Sequence, residues 1–82
     1  MDLVLLTETI IKKIVSDSES VSVKEFESAE ENTVQIEVVV SSLDFGRVIV
    51  KKGRTINSIR TIVQTAATLN GNRKVQLNVD SY

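Results

Sequence analysis

The segment Lys51-Lys52-Gly53-Arg54 gathers three cations around a single glycine. Cations this close together suit a ligand that repeats its negative charge, such as a phosphate backbone. Gly53 permits a close backbone approach and a tight entry into whatever follows. Arg54 stands where an apolar helical pattern begins, the end at which a cation opposes the helix dipole. An anion-binding role therefore suits Arg54 better than a passive surface role. The same four residues also fit a charged, solvated turn, so the choice depends on the rest of the chain.

Most other chemistry is closed to this sequence. It has no Cys, which removes thiol nucleophiles, disulfides and zinc–thiolate sites. It has no His, which removes the commonest general base and metal ligand. Pairs such as Glu30-Glu31 fit a polar turn, and no carboxylate cluster combines metal-ligand spacing with an apolar setting. No catalytic residue, metal or cofactor is expected. No apolar run approaches the roughly 20 residues of a membrane span, and the N-terminus lacks the basic start of a signal peptide. A cytoplasmic protein without membrane attachment is expected.

The net charge of −1 conceals a division. Residues 1–44 hold Lys12, Lys13 and Lys24 against ten acidic residues, a net of −7. Residues 45–79 hold Arg47, Lys51, Lys52, Arg54, Arg60, Arg73 and Lys74 with no acid, a net of +7. Such asymmetry favours one polyanion-facing side over a chance segregation of surface charge.

The elements that position these cations follow from apolar spacing. Leu3, Leu6, Ile10 and Ile14 predict a helix from about Asp2 to Ser16, with Asp2 as its N-cap. Val21, Val23 and, less strictly, Phe26 alternate with polar residues, and Val34, Ile36, Val38 and Val40 do so more regularly. A β-hairpin around residues 29–32 is predicted, its second strand central, with Glu25, Glu27 and Glu37 on the wetter side. Residues 41–50 predict a short helix capped by Ser41 or Ser42 with Asp44 in its first turn. Residues 54–69 predict a third helix, with Ile56, Ile59, Ile62, Val63, Ala66 and Ala67 inward and Arg54, Asn57, Arg60 and Gln64 outward. Gly71 suits a left-handed helix end, and Val75, Leu77 and Val79 mark a last strand. At 82 residues, a single domain spanning 1–82 is expected. Its class is α+β in the order α-β-β-α-α-β, a three-stranded sheet with three helices packed on one face.

A helix–loop–helix joint in that order resembles the KH domain, whose signature is Ile-Gly-x-x-Gly-x-x-Ile. Ile49, Gly53 and Ile56 occupy three signature positions, and Lys51 and Lys52 occupy the variable pair. The element order resembles the type II arrangement. The stretch "DFGRVIVKKGRTINSIRTIV" at 44–63 is similar to the small bacterial single-KH RNA-binding proteins, and the resemblance covers essentially the whole chain. It implies a noncatalytic binder of short single-stranded RNA, acting as an RNA chaperone or post-transcriptional regulator. It further implies pairing with itself or with a second KH-containing protein. Links to cell division and envelope growth are implied by resemblance alone.

On this resemblance the RNA-binding candidates are Gly46, Arg47, Ile49, Val50, Lys51, Lys52, Gly53, Arg54, Asn57 and Arg60. Gly46 costs a helix about 1 kcal/mol relative to alanine, so a close approach of backbone, ligand or neighbour is expected there. Arg47 fits a groove wall or plain surface equally well. The sequence departs from the family at Val50, which stands at the first glycine of the GxxG loop. A β-branched side chain resists the close approach that glycine allows. The alternative is therefore a degenerate KH module used mainly for protein–protein assembly.

Overall fold

The computed structural model describes the backbone of residues 2–50 and 53–82, and the side chains of 2–47 and 56–82. Helix α1 spans Leu3–Ile14. Asp2 caps it by accepting from the N–H groups of Val4 and Leu5, and Lys12 and Lys13 occupy its last turn, where cations complement the dipole. A 3₁₀ turn at Ser18–Ser20 leads into strand β1, Ser22–Glu27, and β2 follows at Thr33–Val40. Helix α2 has an α-helical first turn, Ser42–Asp44, and continues as a π-helical segment, Phe45–Val50. Helix α3 spans Gly53–Leu69, and β3 spans Lys74–Ser81. The architecture is α+β, with three helices and a three-stranded mixed sheet.

The sheet order is β1-β2-β3, antiparallel between β1 and β2 and parallel between β2 and β3. β2 is central, as its apolar alternation predicts. Its inward residues Val34, Ile36, Val38 and Val40 are fully buried, with Leu3, Ile11, Ile56, Ile59, Val63, Ala66, Ala67 and Leu77. Alternation puts Val34, Ile36, Val38, Val40 and Leu77 on one sheet face, and the amphipathic helices cover it. Thr7 is polar yet buried in α1 because its hydroxyl donates to the Leu3 carbonyl at 2.7 Å.

Three expectations need revision. Glu25 and Glu27 pair across the ladder with Ile36 and Val34, so they share the core-side face of the sheet. They stay exposed because the apolar cover does not extend over this end of the edge strand. Only Glu37 lies on the opposite, open face. Phe26 pairs with Gln35 and also points to the open face, because it breaks the alternation begun by Val23. Ile62, expected inward, is 48% exposed, since it lies on the flank of the stripe formed by Ile59, Val63 and Ala66.

Both connections at the far end of the sheet use left-handed backbone. Asn32 has φ 58°, Gly71 φ 111° and Asn72 φ 55°. Asparagine tolerates this region better than other side chains, and Gly71 ends α3 as its sequence position predicts. The Asn32 side-chain amide donates to the Asn72 carbonyl at 2.7 Å, tying the two turns together. Among the described residues, no helix is long and apolar enough to cross a membrane.

Candidate nucleic-acid interface

The joint between α2 and α3 begins with a capping arrangement that the sequence only hints at. Ser41 is the N-cap of α2; its Oγ accepts from the Asp44 N–H and donates to Asp44 Oδ2. The Asp44 carboxylate then reaches outside the helix. Oδ1 accepts from the Ser16 N–H at 2.9 Å and Oδ2 from the Asp17 N–H at 3.0 Å. Asp44 is only 2% exposed. The Ser16 N–H, then that of Asp17, hold its pKa below the usual carboxylate range; burial opposes them and the Ser41 hydroxyl assists. The segment after α1 is thereby clamped to the start of α2. The spacing Ser41-x-x-Asp44 is the signal from which this could have been found, as a capping-box variant.

Past Asp44 the helix widens from α to π over Phe45–Val50. Single π turns re-aim the residues that follow and recur at functional sites. Gly46 and Arg47 lie exposed on this segment. Among the described residues a Cβ on Gly46 would meet nothing within 4 Å, so packing against them does not explain the glycine. The backbone of Ile49 and Val50 completes the segment, and Gly53 and Arg54 open α3. The side chains of Ile49, Val50 and Arg54, and all of Lys51 and Lys52, lie outside the described residues.

Further along α3 the geometry is explicit. The exposed Arg60 donates from Nε to the Leu77 carbonyl of β3 at 3.1 Å, and from Nη1 to Asn57 Oδ1 at 3.3 Å. One turn later, Gln64 Oε1 accepts from the Val75 N–H at 2.9 Å, while Nε2 donates to the Arg73 carbonyl at 2.8 Å. β3 is an edge strand whose alternate residues turn their N–H and C=O groups outward. Arg60 and Gln64 meet those outward groups at Leu77 and Val75. They fasten one flank of α3 along the free edge of β3, and a shallow cleft lined by Arg60, Thr61, Gln64, Thr65 and Val75 lies between them. Asn57 and Arg60 are thus brought together. Gln64 is the member of this set that sequence reasoning placed only as outward-facing.

Electrostatics divide along the same axis. The acid-free half of the sequence supplies α2 after its first turn, α3 and most of β3, and the acidic half supplies α1, β1 and β2. Because β1 and β3 are opposite edges of the sheet, the two halves separate along it, except at the turn end, where Arg73 and Lys74 share clefts with Glu30 and Glu31. Among the described residues, no group of His, Cys, Asp or Glu is placed to hold a metal ion.

Comparison with known proteins shows the family. The family described as "KhpA/KhpB, KH domain" matches residues 5–79. The RNA-binding protein KhpA of Chlamydia caviae is 40% identical over 70 residues, covering 85% of this chain and 86% of the relative. That of Clostridium perfringens is 39% identical over 74 residues, covering 90% and 95%. That of Thermotoga maritima is 36% identical over 74 residues, covering 90% and 93%. No solved structure gave a significant match.

Proposed function

Because the chain belongs to the KhpA/KhpB KH-domain family, we propose that it is a noncatalytic RNA-binding module that grips short single-stranded RNA at the α2–α3 joint. The observation that carries this reading is the position of Arg60. Its guanidinium is held by the Leu77 carbonyl at the edge of β3, and both residues belong to the acid-free stretch of the sequence. A cation fixed in this way meets a phosphate or a base edge with little conformational entropy left to lose. The joint upstream adds Arg47, Lys51, Lys52 and Arg54, and the N–H groups that open α3 favour an anion. Gly46 leaves room for a sugar–phosphate chain to approach. A chaperone or post-transcriptional role follows if such contacts are mostly with the backbone, which bind many sequences alike.

The whole chain acts as one module in this proposal. It pairs with a second copy or with another KH-containing protein. Ile62 and Leu69, spaced by two helical turns, are 48% and 84% exposed, and such apolar exposure on one flank of α3 supports association.

A second reading is favoured by Val50. A β-branched residue at the first GxxG position opposes close contact with the RNA backbone, which would leave an assembly module. The deciding experiment measures binding to a pool of short single-stranded RNAs at low and physiological salt, for wild type, Val50→Gly and the Lys51→Asp/Lys52→Asp double variant. RNA binding predicts that wild type binds, that the double Asp variant loses most of that binding, and that Val50→Gly binds at least as well. If wild type and Val50→Gly bind equally poorly and the Asp pair changes nothing, RNA binding at the joint is wrong. If Val50→Gly alone binds tightly, assembly is the native role.

A further inference from the structure

The geometry points to a second binding surface, opposite the RNA side: the free edge of β1, which takes up a basic, extended polypeptide segment as an added strand. Among the described residues β1 pairs only with β2, so its other edge carries unpaired ladder groups. Lys24, Glu25, Phe26 and Glu27 are all exposed, so among the described residues no other element covers this part of the edge.

The side chains specify the occupant. Along the edge, Glu25 and Glu27 point to one face, and Lys24 and Phe26 to the other. On the Phe26 side lies a cleft of about 260 Å³, lined by Ser22, Lys24, Phe26, Glu37, Val39 and Tyr82. Phe26 is 48% exposed and Tyr82 71%. The neighbouring part of this face is already satisfied, since Gln35 bonds Gln76 and Glu37 bonds Asn78 across β2 and β3. Beside β1, the rings of Phe26 and Tyr82 and the side chain of Val39 give the cleft an open apolar floor, with Lys24 and Glu37 at its margin. A strand laid along β1 places alternate residues opposite Glu25 and Glu27 and the intervening residues over Phe26 and the cleft. The fitting sequence alternates basic and apolar residues.

Charge selects among possible occupants. Residues 16–32 hold six acids and one base, Lys24. A second copy pairing edge to edge would bring Glu25 and Glu27 against their own counterparts, and RNA would meet the same repulsion. A basic segment meets neither obstacle. The surface is independent of the RNA-binding proposal, being on the opposite edge of the sheet.

The test uses a fluorescent synthetic peptide in which lysine alternates with valine and phenylalanine, and a peptide of the same composition with its residues in blocks. The alternating peptide should bind, shift the backbone NMR signals of Lys24–Glu27 and bind roughly tenfold tighter than the block peptide, a difference of about 1.4 kcal/mol. Glu25→Gln/Glu27→Gln and Phe26→Ser should each weaken it by a similar factor, and neither should weaken single-stranded RNA binding. N-methylating the peptide amides that face β1 should abolish binding, whereas methylating the alternate amides should not. That arm leaves the protein unaltered, so it decides even if a variant misfolds. Absence of binding, equal binding of both peptides, indifference to the methylation pattern, or shifts confined to α2 and α3 would each overturn the proposal.

Discussion

The Asp44 carboxylate and the Ser16 N–H stand 28 positions apart in sequence and 2.9 Å apart in space. That bond, with its neighbour to Asp17, fixes the segment after α1 to the first turn of α2 and so fixes the entrance to the joint. The basic joint is therefore positioned by an acid contributed from the acidic half of the chain.

Replacing Asp44 with Asn should lower the thermal midpoint by several degrees at neutral pH, because an NH2 donor then replaces one of the two oxygens that accept from the Ser16 and Asp17 N–H groups. The pH dependence follows from the lowered folded pKa. The unfolded carboxyl titrates near about 3.9, so the stabilisation is complete above that value. It is lost as pH falls through the lower folded value. Thermal melts of wild type and Asp44→Asn from neutral to acid pH should converge in that window.

Arg60→Ala should weaken binding to single-stranded RNA and reduce the slope of log affinity against log salt by about one, the signature of one lost phosphate contact. Anisotropy titrations at several salt concentrations give both quantities. An Arg60 that reads a base instead would lower affinity for some sequences more than others, by about 1–3 kcal/mol.

Gln64→Leu should cost about 1–2 kcal/mol in denaturant unfolding, since it strands the Val75 N–H and the Arg73 carbonyl together. Hydrogen exchange at the Val75 amide should accelerate in this variant more than exchange at the centre of β2.

Ile36→Ala should cost roughly 2–5 kcal/mol, because Ile36 is wholly buried in the central strand. Phe26→Ser should cost well below that, since the ring rests on the open face of an edge strand. Chemical denaturation of the two variants compares the covered and uncovered faces directly.

The element order and the centrality of β2 were legible because Val34, Ile36, Val38 and Val40 keep strict period, and Ile56, Ile59 and Val63 keep helical period. Phe26, Glu25 and Glu27 were misplaced because a short edge strand is buried too weakly for its alternation to decide a face. Ile62 was misplaced for a related reason: an apolar stripe has a width, and its margin is set by a neighbour that the sequence does not name. At the joint, the residue types were legible and the bonds were not. Arg60 and Gln64 reach β3 across 17 and 11 positions respectively, and no local pattern encodes such a span. The change from α to π after Asp44 left no sign in the apolar spacing.

The parallel pairing of β2 with β3 also bears on how the chain comes together. The β1–β2 hairpin closes over a short turn, but Val34 meets Val75 only after α2 and α3 have crossed the sheet. Local closure is quick and distant closure slow. During synthesis the hairpin can therefore form while β2, the most apolar strand, still lacks its neighbour on one side. Until residues 74–81 emerge and dock, that bare strand is the point at which a nascent chain is most exposed to the wrong pairing.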